Sequence, residues 1–199
     1  MIKKPQSALA LAKERPTIRT SDVTGMGVAR VALTRLVRKG ELVRIARGVY
    51  AHPERKGTEF DSLLDVAAQS QQGIFCLLTA LRFHGLTTQS PFEIWLAIPQ
   101  KSRIPRIGYP PVRTVWFSGM ALTEGIETHV LDGQPVRIYG IAKTIADCFK
   151  YRNKIGIDVA LEALHDAWKQ RRVTMSQLYH FGKICRVEKI MRPYLESLV

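Results

Sequence analysis

Residues 28–54 read VARVALTRLVRKGELVRIARGVYAHPE, and the spacing within them decides the fold of the front of the chain. At about 100° per residue, Ala29, Leu33, Leu36 and Val37 share one side of a helix over 28–39, with Ala32 at its edge. Val31, Thr34, Arg35 and Arg38 fall on the other side, flanked by Val28 and Lys39, with Arg30 near the border. Gly40 stands where a helix ends on a left-handed residue. Residues 42–46 are strand-like, Arg47-Gly48 is a turn and residues 49–51 form a second strand, so the helix is followed by a hairpin carrying Arg44 and Arg47.

Working outward, residues 6–15 (QSALALAKER) form a short amphipathic helix closed by Pro16. Thr20-Ser21-Asp22-Val23 reads as a helix start, because hydroxyl oxygens can satisfy the orphan N–H groups of a first turn. Gly25-Met26-Gly27 breaks that helix almost at once. Helix, short helix, glycine turn, longer helix, basic hairpin is the order of a winged helix-turn-helix. A basic face on a surface helix is ordinarily only solvated. Val31 argues against that here, since a bare valine among arginines gains nothing from water but can meet a thymine methyl in the major groove. The expected DNA contacts are Thr20, Ser21, Val28, Arg30, Val31, Thr34, Arg35, Arg38, Arg44 and Arg47, while Tyr50 reads as packing.

The charge balance points the same way. Of 199 residues, 30 are Lys or Arg and 17 are Asp or Glu, a formal net charge of +13. Residues 1–57 hold 13 basic and 4 acidic side chains, a net of +9, whereas residues 58–199 hold 17 and 13, a net of +4. Charge placed only for solubility has no reason to collect in one module, so the front should meet a polyanion. No apolar run approaches the roughly 18 residues of a membrane span, and the N-terminus alternates charge too early for a secretory leader. A cytoplasmic protein is expected. Cys76, Cys148 and Cys185 are odd in number and set in apolar patterns, which suggests reduced core residues.

Residues 53–57 (PERKG) read as a linker between a DNA-binding domain over 1–57 and a second domain over 58–199. In the latter, helices are expected over 59–70, 76–84, 141–151 and 158–170, and after Thr174, where Thr174-Met175-Ser176-Gln177 has a capping-box pattern. Strands are expected over 92–98, 112–117, 126–131 and 135–139, the last two joined at Asp132-Gly133. The fold class is α+β: a winged helix-turn-helix, then a mixed α+β domain with a small, mainly antiparallel sheet.

A search for chemistry returns little. Phosphate-binding loops, dinucleotide fingerprints and the G-x-S-x-G elbow are missing from the sequence. Glu54-Arg55-Lys56 falls in the linker, His84 sits at a helix end, His165 and Asp166 point apart on one helix, and Trp95, Trp116 and Trp168 read as core. Neither a metal nor another cofactor is expected, and no catalysis.

Two segments carry a resemblance. CLLTALRFHGLTTQSPFEIWLAIP (76–99) and YGIAKTIADCFKYRNKIGIDVALEAL (139–164) resemble the C-terminal domain of AbiEi-type antitoxins, and the basic head resembles the winged helix that precedes it. The resemblance implies an antitoxin of a type IV toxin–antitoxin, or abortive-infection, operon. Its head would bind repeats in its own promoter, and its second domain would counter a nucleotidyltransferase-like toxin without requiring a stable complex. It also implies an antitoxic surface at Lys143, Asp147, Lys150 and Arg152, which periodicity alone reads as a solvated face. A plain winged-helix transcription factor with a ligand-sensing or dimerising second domain, and a DNA-cleaving enzyme, are the competing readings.

Overall fold

The computed structural model describes residues 7–55, 57–89 and 91–198; Gln6 and Lys56 lie outside them. Helix α1 (Ala8–Glu14) starts at Ser7, whose hydroxyl oxygen accepts from the Ala10 N–H at 3.1 Å, and it buries Ala8, Leu11 and Ala12. The two-residue strand β1 (Ile18–Arg19) leads into α2 (Thr20–Gly25). Here the aspartate, rather than the expected Thr and Ser oxygens, ties the first turn: the Asp22 carboxylate accepts from the Arg19 N–H at 2.8 Å. Thr20 has a different task. Its amide and its hydroxyl both donate to the Gly48 carbonyl, at 2.9 and 3.3 Å.

Helix α3 (Arg30–Arg38) is shorter at its start than the apolar spacing suggests, because Ala29 is the extended residue that precedes it. Ala29 is therefore exposed, not part of the core stripe. Leu33 is 1% exposed and packs with Leu11, Ile18, Val23 and Leu42, while Leu36 and Val37 pack against that cluster from its rim. Gly40, at φ +74°, ends the helix: its N–H donates to the Val37 carbonyl and the Glu41 N–H to Leu36, both at 3.0 Å, the paired bonds of a Schellman cap. Strands β2 (Val43–Ala46) and β3 (Val49–Ala51) form an antiparallel hairpin, and β1 pairs with β3, giving the sheet order β1-β3-β2.

The chain divides into two compact units. The first runs to Gln71 and adds residues 105–110 and 129–136. It therefore includes α4 (Asp61–Gln69), to which Arg55 is bound by ion pairs with Asp61 at 2.6 Å and Asp65 at 3.0 Å. The Arg19 guanidinium also donates to the Ala67 carbonyl at 2.6 Å. Arg55, read as part of a linker, thus has fixed partners.

The second unit is built on β4 (Ile74–Phe75), α5 (Leu77–Phe83), β5 (Ile94–Pro99), β6 (Val112–Phe117), α6 (Met120–Thr123) and the outer parts of β7 (Ile126–Leu131) and β8 (Gln134–Tyr139), whose residues 129–136 count with the first unit. Helices α7 (Ile141–Lys150), α8 (Arg152–Ile155), α9 (Ile157–Lys169), α10 (Met175–Ile184) and α11 (Glu188–Glu196) complete it. The sheet order is β6-β5-β4-β8-β7. Pairing β4–β5 is antiparallel, while β4–β8 and β5–β6 are parallel, so the sheet is mixed. Asp132 and Gly133 both have positive φ, 45° and 77°, as a two-residue hairpin turn needs. Thr174 and Gln177 exchange the two bonds of a capping box. Helix α7 lies in the core, with every residue from Ala142 to Phe149 buried.

Gly40 is a local test of this arrangement, since a Cβ there would meet nothing within 4 Å and only the positive φ opposes it. Gly40→Ala should destabilise the head by about 1 kcal/mol. Hydrogen exchange should show α3 amides opening faster with α7 amides unchanged; unaltered exchange in α3 would contradict the cap.

Candidate nucleic-acid interface

Because Leu33 turns one side of α3 into the core, the other side faces water. Arg30, Val31, Thr34, Arg35, Arg38 and Lys39 are all exposed, Val31 to 56%. The wing adds exposed Arg44 and Arg47. Gly48, at φ +78°, makes the wing's tight turn, and its carbonyl is the group held by Thr20. The tip of the wing is thereby tied to the start of α2, which fixes Arg47 relative to the helices. Thr20 is half-buried and spends its donors on that tie, and Val28 is half-buried against the head's core. Ser21 is exposed. Of the ten expected contacts, then, eight present an exposed side chain and two serve the scaffold. Sequence reasoning passed over Val43, 50% exposed on β2. No period-2 alternation marks it, since Val43 and Arg44 are both exposed while Ile45 and Ala46 are both half-buried.

Six cations therefore stand on α3 and the wing, together with exposed Val31, Val43 and Thr34. Such a surface can neutralise phosphates with its arginines and touch base edges with Val31 and Thr34. Residues 6–53, which contain all of it, match the family model of the transcriptional regulators described as AbiEi antitoxins. The head is similar to that family. Over more of its length the chain is similar in fold to the RV2827C protein from Mycobacterium tuberculosis, whose crystal structure aligns with 87% of this chain and 68% of that one at a TM-score of 0.55 and 17% identity. No curated protein matches it in sequence. No helix among the described residues is long and apolar enough to cross a membrane.

Behind the head, the four residues expected to form an antitoxic surface do not share one. Lys143 and Asp147 are fully buried, and Lys143 Nζ lies 2.5 Å from Asp147 Oδ2. The ammonium also sits over the rings of Tyr139 and Phe117, at 4.0 and 4.7 Å from their centroids. Cys185 Sγ donates to Asp147 Oδ1 at 3.3 Å. The i, i+4 spacing that suggests a solvated face instead pairs two charges inside a helix enclosed on all sides. Only Lys150 is exposed; Arg152 is half-buried and donates to the Phe149 carbonyl at 3.0 Å. Burial pushes the Asp147 carboxyl up, against the opposing pull of the Lys143 ammonium. Burial, with Asp147 nearby, also raises the Cys185 thiol to about 12.

His84 stands at a helix end, as expected, whereas Trp116 differs from expectation. His84 closes α5 but is buried, its Nε2 2.8 Å from the Tyr139 carbonyl oxygen. Trp116 is 45% exposed on the outward side of the edge strand β6, while Trp95 is buried.

The buried pair yields a two-step test. Lys143→Met strands a carboxylate in the core and should cost about 3–5 kcal/mol, whereas Lys143→Met with Asp147→Leu should recover most of that loss. In the single variant Asp147 keeps the upward push of burial and loses its main opponent. A carboxyl whose folded pKa lies above its unfolded one stabilises most at low pH, so this variant should lose stability as pH rises through and above the carboxylate range. Denaturant unfolding at several pH values reads both effects; a single variant as stable as the double one would refute the pairing.

Proposed function

We propose that this protein is a DNA-binding repressor of its own operon and the antitoxin of that operon, countering a nucleotidyltransferase-like toxin. The observation that carries the proposal is the outward face of α3, where Val31, Thr34, Arg35 and Arg38 stand exposed beside the wing arginines. A face that must only stay soluble has no use for Val31. The match of residues 6–53 to a family of antitoxin regulators supports the same reading. In this account the head reads DNA in the major groove with α3, and Arg44 and Arg47 hold the phosphate backbone. The second unit carries the antitoxic activity, with Lys150 and Arg152 the members of the expected set that reach its surface. Lys143 and Asp147 would act there through the fold, as an internal support for α7. The protein needs no cofactor and catalyses nothing in this account.

Each phosphate neutralised releases counterions. If four or five of the six cations reach phosphates, binding to duplex DNA from the gene's upstream region should follow log salt with a slope of roughly −3.5 to −4.5. Arg47→Ala should lessen that slope by about 1 and weaken all sequences alike, while Arg35→Ala should cost about 1–3 kcal/mol on the preferred site only. Salt titrations by fluorescence anisotropy measure both. A slope near zero would exclude this interface.

Repression and rescue should also separate. Arg35→Ala with Arg38→Ala leaves the Leu33 packing untouched, so the head stays folded while its groove contacts go. That double variant should derepress a promoter reporter yet still rescue cells that express the toxin from an unrelated promoter. If a folded, equally abundant double variant fails to rescue, DNA binding is itself part of neutralisation.

A further inference from the structure

We propose that a cleft in the second unit, where α7 and α10 end beside β6, binds a nucleoside phosphate. The cleft has a volume of about 540 Å³ and is walled by Lys150, Lys183, Arg186, Trp116, Met120 and Gln100, among others. No Asp or Glu lines it. That volume falls in the range of small-ligand pockets, roughly 300–1,000 Å³.

The three cations are not neutralised from within. Lys150 closes α7, Lys183 lies in the last turn of α10, and Arg186 follows that helix at φ +59°. None has an ion-pair partner among the described residues. The Lys150 ammonium stands 5.8 Å from the centre of the Phe117 ring, a contact that leaves its charge in place. The cations are not required to cap α10 either, because the Arg186 N–H already donates to the Lys183 carbonyl at 3.0 Å and the Val187 N–H to Gly182 at 2.8 Å. Two helix C-termini bring roughly −0.5 charge each, well short of three full positive charges, so the cleft attracts anions.

The other wall is apolar and exposed. Trp116 is 45% exposed and Met120 58%. An inorganic phosphate would need neither. A concave site that combines an aromatic face with a cluster of cations matches a base stacked on the ring and phosphates held by the lysines and arginine. A duplex is too broad for it, which separates this site from the head's. The shared chemistry, a base bearing phosphate, could come from a free nucleotide or from the end of a single strand.

Titrating the full-length protein with ATP and with GTP tests the assignment by calorimetry and tryptophan fluorescence. We expect saturable one-to-one binding below about 1 mM, with quenching, and inorganic triphosphate at least about tenfold weaker. Lys183→Gln and Arg186→Gly should each weaken ATP about tenfold. Glycine is the residue that position after a helix favours, so Arg186→Gly should hold or raise the Tm, and lost binding there cannot be blamed on misfolding. Trp116→Leu should weaken ATP and leave triphosphate unchanged. Competition by a short single strand, measured in the Arg35→Ala/Arg38→Ala background, would assign the site to strand ends, and failure to compete would assign it to free nucleotide; both uphold the shared chemistry. Absence of saturable binding, triphosphate as good as ATP, or ATP binding indifferent to Lys183→Gln and Arg186→Gly would overturn it.

Discussion

Leu33 sets which way α3 faces. With that side chain enclosed by Leu11, Ile18, Val23 and Leu42, the helix has no rotational freedom left, and Val31, Thr34, Arg35 and Arg38 must point outward. A fully buried leucine is worth about 2–5 kcal/mol against its truncation, far more than the few tenths by which an exposed arginine favours one helix orientation over another. Packing decides the geometry, and charge then uses it. The second fixed point is the Gly48 carbonyl, which both donors of Thr20 hold. Together these contacts set the wing and α3 in one frame, so that their exposed side chains are held in a single register.

The second unit depends on a different constraint. An ammonium cannot be left alone in a dry core, and Lys143 is enclosed by Asp147, Tyr139 and Phe117. Asp147 in turn accepts from Cys185. This polar centre joins α7 to the end of α10 and to β6 and β8; α7, α10 and β6 also frame the basic cleft. A buried pair of this kind adds little net stability over an apolar core, but it penalises every arrangement in which the partners separate. Its contribution to the fold is thus mainly one of selecting the arrangement.

Much of this was legible in the amino-acid order. The 3.6-residue period exposed the two faces of α3, Gly40 marked its end, Asp132-Gly133 marked a hairpin, and Thr174 with Gln177 marked the start of α10. Each is a local signal, spelled out within a few residues. What escaped the sequence was non-local. Strands β1 and β4 are two residues each, too short to show alternation, and exist only through partners far along the chain. The parallel pairing of β5 with β6 depends on the path of residues 100–111, which composition does not specify. Lys143 and Asp147 carry the chemistry of a surface, and only the helices packed around α7 reveal that they are interior. Trp116 has the converse history: an apolar pattern placed it inside, while its position on an edge strand leaves it exposed. In the head, Ala29 precedes α3 rather than joining its stripe, because the helix starts later than the apolar spacing suggests, and Thr20 is drawn into a tie to the wing that no local pattern shows.

The claim on which the account turns is that α3 and the wing form the DNA-reading surface. Amide NMR spectra of the full chain, recorded while duplex DNA from the gene's own upstream region is added at moderate salt, test it most directly. The account predicts that the largest shifts fall on residues 30–39 and 43–48, with Leu33 moving less than its neighbours Val31, Thr34 and Arg35 because it faces the core. Shifts centred on the second unit, with α3 and the wing unmoved, would contradict it.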